Sequence, residues 1–162
     1  NRREIPNVAG ILMENILDWM TMRYGCRMAR KREPQYTLAD LLNAVSHKDL
    51  INLLKVERVL NAAGAPDATG QWTETPLKDK VAAIKGLSAV RNQVGCHYNF
   101  DGSLVSDKDV EAFGQAALEL AELVCCPVDG DLPSSDKSAQ YLETRSKLVR
   151  LYPIKIPGTT GA

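Results

Sequence analysis

The chain has 162 residues, of which 44% are hydrophobic and 25% charged. That is enough to build a proper core, and the balance excludes disorder as the default state. Its 20 Lys and Arg cancel 20 Asp and Glu, so bulk positive charge cannot hold a nucleic acid and any such contact must come from a local patch.

No apolar run approaches the roughly 18 residues that a membrane span needs. The N-terminus reads Asn1-Arg2-Arg3-Glu4, carries no secretion signal and does not begin with methionine. These features predict a cytoplasmic protein with no membrane contact, and a chain that is either a piece of a longer one or processed. The cysteines are Cys26, Cys96, Cys125 and Cys126, with no C-x-x-C pair. They read as free thiols. Cys96 beside His97 raises the idea of an activated thiol; small residues in a helix interior are the simpler reading. The histidines, His47 and His97, stand too far apart in sequence to suggest a metal cluster, so no metal and no cofactor is expected.

In chain order, residues 3–24 form the first predicted helix. Ile5, Val8, Leu12, Ile16 and Trp19 make its apolar stripe, and Gly25 is placed to stop it. A basic stretch follows, with Arg23, Arg27, Arg30, Lys31 and Arg32 before Pro34. It reads either as a solvated connection or as a phosphate-contacting patch. Thr37 and Asp40 form a capping box for a short helix carrying Leu38, Leu41, Leu42 and Val45. Ser46 and Asp49 repeat the pattern before a second helical stretch with Leu50, Leu53, Leu54, Val56 and Leu60.

Residues 64–73 read as a surface loop, with Trp72 covering the bundle. Thr75 and Pro76 suit a helix start, and Leu77, Val81, Ile84, Leu87, Val90 and Val94 supply that helix's apolar face. Ser106 caps the last helix, whose stripe is Val110, Phe113, Ala117, Leu120 and Val124, and Pro127 follows it. Residues 139–144 and 147–152 suggest two short strands around a turn at Arg145-Ser146. The expected fold is all-α: an antiparallel bundle of four or five helices over residues 1–126, with a small β-hairpin appendage in residues 127–162.

One residue breaks the pattern. On a helical wheel of roughly 100° per residue, Arg91 falls inside the apolar arc, near Ile84 and Leu87. Burying its charge costs several kcal/mol unless something compensates. Arg91 therefore marks a cleft, an interface or a rim salt bridge. His97 follows six positions later. On a straight helix that is roughly 120° around and about 9 Å along the axis, although Gly95 between them relaxes the constraint. Near a helix C-terminus a histidine also has a plain electrostatic reason to sit there. Chemically, arginine grips phosphate oxygens and histidine moves protons near neutral pH. RNA brings its own nucleophile, the 2′-hydroxyl.

Arg91-Asn92, then four residues, then His97 resembles the signature of HEPN domains. The motif sits at the end of a late helix with one more long helix after it, and the resemblance covers residues 3–126. It implies a metal-independent endoribonuclease that leaves a 2′,3′-cyclic phosphate, with Arg91, Asn92 and His97 catalytic. It also implies a two-fold homodimer with facing motifs, and a toxin or anti-phage setting. There the partners would be an antitoxin, or an ATPase domain in the same full-length chain. On that reading Arg23, Arg27, Arg30, Lys31 and Arg32 hold flanking phosphates of the RNA substrate. Some members place a tyrosine two residues after the histidine; here Tyr98 follows directly and Asn99 takes that place. Other members lack activity, which leaves a catalytically silent dimerising module as the alternative.

Overall fold

The computed structural model describes residues 4–28, 36–61, 63, 65–91, 105–136 and 138–155. Among them the elements run α1 (Glu4–Arg23), α2 (Leu38–Val45), α3 (Lys48–Ile51), β1 (Lys55–Leu60), β2 (Gln71–Pro76), α4 (Lys78–Val90), α5 (Asp107–Val124), β3 (Leu142–Glu143) and β4 (Val149–Tyr152). The strands form an antiparallel sheet in the order β2-β1-β4-β3. The all-α expectation is thereby corrected: the fold is mixed α/β.

The chain divides into two compact units, each assembled from separated stretches. One holds Asn1–His47 with Asp79–Ala121, and the other Lys48–Lys78 with Glu122–Ala162.

The first unit is helical, and its local signals work as their chemistry dictates. Thr37 and Asp40 make a reciprocal capping box at α2: Asp40 N donates to Thr37 Oγ1, and Thr37 N donates to Asp40 Oδ2. Leu38, Leu41, Leu42 and Val45 are buried from that helix. At α5, Ser106 and Asp109 form a second reciprocal box. The expected stripe from Val110 to Val124 is buried, with Phe113 fully enclosed. Gly25 ends α1 with φ +57°, where a side chain would be strained, and Cys26 N donates back to Thr21 O.

The face of α1 differs from the expected stripe. Ile5 is 41% exposed and Val8 60%, and Leu12 and Trp19 are half-buried. The residues that α1 buries are Pro6, Ala9, Gly10, Met13, Ile16, Leu17, Met20 and Thr21. The helix is apolar around most of its circumference, so periodicity did not single out the inner face. Ile5, Val8 and Leu12 instead line an open groove of about 530 Å³ between α1 and α5, with Gly114 and Leu118 opposite.

The second unit carries the correction to fold class. Residues 55–60, expected as helix, form β1, and residues 71–76, expected as loop and helix cap, form β2. Val56 and Val59 are three apart, which imitates a helical period. Both are β-branched, however, and favour a strand once partners exist. The partners come from far along the chain: Val56 lies opposite Thr75 on one side and Leu151 on the other. The C-terminal strand pair falls where expected, but it is no appendage, because β4 pairs directly with β1. Thr75, Val56, Leu151 and Leu142 form one row across the sheet, and Glu74, Glu57, Arg150 and Glu143 form the next, on the opposite face. On that polar face Arg150 lies 3.7 Å from the Trp72 ring centroid and 4.5 Å from that of Tyr141, a stacked cation–π arrangement. Trp72 is thus a strand residue that stacks on Arg150, in place of the expected loop cover.

Candidate functional site around Arg91

Arg91 directly follows α4 and continues the stripe of Val81 and Ile84. It is buried, with 6% of its surface exposed. The wheel argument holds: an arginine stands where an apolar residue belongs. Its surroundings come from one face of α1. Asn7, Gly10 and Glu14 recur at spacings of three and four, so all three point the same way.

Each of the three acts differently on the guanidinium. Arg91 Nη1 donates to Asn7 Oδ1 at 3.0 Å. Gly10 supplies room: a Cβ there would lie 2.1 Å from Arg91 Nε and 2.3 Å from Cδ. The arginine stem therefore lies flat against the α1 backbone. Glu14 Oε1 stands 3.5 Å from Nε. That is an ionic contact, too long for the charge-assisted hydrogen bond of roughly 2.8 Å. Arg91 Nε is a buried donor with no hydrogen-bond partner among the described residues, a state that costs about 1–3 kcal/mol. Glu14 is the wetter member of the pair, its side chain 28% exposed against 8% for Arg91.

These α1 residues were missed by sequence reasoning. The signal was faint but present: Asn7, Gly10 and Glu14 stand at helical spacing on one side of the helix, as small or polar residues among apolar ones.

Asn92 and His97 lie outside the described residues, as do Cys96, Tyr98 and Asn99. Of the basic stretch, Arg30, Lys31 and Arg32 also lie outside them, while Arg23 and Arg27 are exposed. Arg23 closes α1, roughly 13 Å of helical rise beyond Glu14. The structure therefore does not bring it to the guanidinium. Arg27 borders a small pocket with Met28, Tyr36, Asp40, Asn43 and Ala44.

Other reactive side chains lead away from catalysis. Cys26, Cys125 and Cys126 are free thiols. Burial pushes the Cys26 and Cys125 thiols up, away from the thiolate that a nucleophile needs. Cys126 is buried and shares a hydrogen bond with Ser146 Oγ at 2.9 Å. His47 is exposed. Among the described residues no group of three His, Cys, Asp or Glu is arranged to hold a metal ion, and no helix is long and apolar enough to cross a membrane.

No family model, no curated protein and no solved structure matches the chain.

Proposed function

We propose that the chain is a metal-independent endoribonuclease domain in which Arg91 grips the scissile phosphate and His97 handles the proton of the RNA 2′-hydroxyl. The observation that carries this reading is a buried arginine whose Nε–H has no hydrogen-bond partner among the described residues. An arginine kept only for structure would have its donors matched, because an unmatched buried donor is costly. A phosphate oxygen supplies the missing acceptor. As the 2′-oxygen attacks phosphorus and the 5′-oxygen departs, the guanidinium stabilises charge on the phosphoryl oxygens. His97 takes the 2′-hydroxyl proton, and Asn92 orients the groups. Their parts rest on the Arg-Asn-x4-His spacing. Arg23, Arg27, Arg30, Lys31 and Arg32 supply flanking phosphate contacts in this reading. A homodimer, a cytoplasmic toxin or anti-phage setting, and an antitoxin or ATPase partner belong to the same proposal.

The test is RNA cleavage in EDTA by the wild type, Arg91→Ala and His97→Ala. The expected result is a loss of about a hundredfold or more in each variant, with melting temperatures recorded alongside. Equal cleavage by folded His97→Ala would overturn the catalytic assignment.

A second reading is favoured by the Glu14 contact. Here Arg91 ties α1 to the end of α4, and the chain is a silent dimerising module that binds a partner protein or nucleic acid within a larger ATPase. Loss of dimerisation in Arg91→Ala, with no RNA cut by any variant, is the outcome that selects it.

A further inference from the structure

We propose that Glu14 is a built-in substitute for the substrate phosphate: its carboxylate holds the Nε side of Arg91 until an RNA phosphate displaces it. This rests on the reading that gives Arg91 the phosphate.

The geometry separates what is fixed from what is exchangeable. Asn7 fixes Nη1 at 3.0 Å. The notch at Gly10 fixes the stem, since Nε and Cδ occupy the space that a Cβ would take. Glu14 does neither. At 3.5 Å its Oε1 attracts the cation without satisfying Nε–H. An oxyanion that reaches Nε at ordinary hydrogen-bond distance gains an interaction that Glu14 leaves unmade. Glu14 is also the side chain on the solvent side, 28% exposed where Arg91 is 8%. It can swing into water at little cost, while the guanidinium stays on Asn7 and Gly10. The phosphate then enters along the path that the carboxylate leaves.

Two consequences have opposite sign. Glu14 competes with phosphate for the guanidinium, so removing its charge tightens RNA binding. Asn7 holds the guanidinium in place, so removing its amide weakens binding. A purely structural Glu14–Arg91 tie predicts no gain from either change.

The experiment titrates the chain with a fluorescent 2′-O-methyl RNA oligonucleotide, which lacks the nucleophile and cannot be cleaved, and follows anisotropy at fixed salt. Glu14→Gln is expected to bind about five- to tenfold more tightly than wild type. Asn7→Ala is expected to bind about fivefold more weakly. In the Arg91→Ala background the gain from Glu14→Gln should vanish. Equal or weaker binding by folded Glu14→Gln overturns the proposal, and so does a gain that survives Arg91→Ala. Should Glu14→Gln fail to fold, Glu14→Asp withdraws the carboxylate by one methylene and keeps its charge; a smaller gain supports the exchange, and no gain overturns it.

Cleavage of unmodified RNA in EDTA, run in parallel, separates this from the ribonuclease reading. Tighter binding by Glu14→Gln with no cleavage by any variant sustains the exchange and removes catalysis. Cleavage that needs His97, with Glu14→Gln indifferent, overturns the exchange and leaves catalysis standing.

Discussion

Gly10 is where a single missing methyl group decides a local structure. In the middle of an ordinary helix, replacing glycine by alanine gains roughly 1 kcal/mol. Here the new Cβ would fall 2.1 Å from Arg91 Nε, and Arg91 is too buried to step aside freely. Gly10→Ala should therefore destabilise the chain by about 1–3 kcal/mol, read by urea unfolding. A stabilised variant would show that the guanidinium does not need the notch. Tyr152 makes a prediction of a different kind. Burial, together with its hydroxyl's hydrogen bond to Glu57, pushes its pKa from 10.0 up to about 12. The folded state thus keeps the phenolic proton longer than the unfolded state. The stability this contributes is complete below pH 10 and is lost as pH rises through about 12. Unfolding curves across that window should flatten in Tyr152→Phe. An unchanged slope would exclude Tyr152 as the titrating group.

Among the elements, α2 shows how far local chemistry reaches. Its reciprocal Thr37–Asp40 cap and its four buried apolar residues agree with one another, so local and packing signals point to the same helix. Thr37→Ala removes the hydroxyl that Asp40 N bonds and should cost about 1 kcal/mol, read as a lower urea midpoint with unchanged slope. β1 is the opposite case. Residues 55–60 carry a pattern that suits a helix as well as a strand, and two flanking strands decide the matter. Arg150 shows the same dependence: its guanidinium meets Trp72 from β2, Tyr141 and Glu143. Strand pairing brings those residues together.

For the molecule as a whole, the sheet changes what the C-terminal residues do. As an appendage, residues 127–162 could be removed without consequence. In the structure they contribute β3 and β4, and β4 lies along β1. Ending the chain at residue 126 should therefore expose Val56 and Val59, both buried in the complete chain, and unfold the second unit. Trp19 and Trp72 are the two tryptophans, one in each unit, so single-tryptophan variants report the units separately. The truncated chain should lose structured emission from Trp72. A native Trp72 signal after truncation would return β3 and β4 to the status of an appendage.

Much of the helical unit was legible from residues alone. Caps, a terminating glycine and regular stripes act within a few residues, so α2, α5 and the end of α1 follow from nearest neighbours. The unusual place of Arg91 was legible for the same reason: a charge in an apolar stripe is visible at helical spacing. Its partners were not. Asn7 and Glu14 lie more than seventy residues earlier, and no local rule says which face of α1 meets the end of α4. The sheet was equally hidden, since a strand's identity rests on hydrogen bonds to segments far along the chain. Tertiary structure thus decided which backbone became strand and which α1 residues meet the buried cation, because both depend on contacts whose chain-closure entropy is repaid only when the whole set forms together.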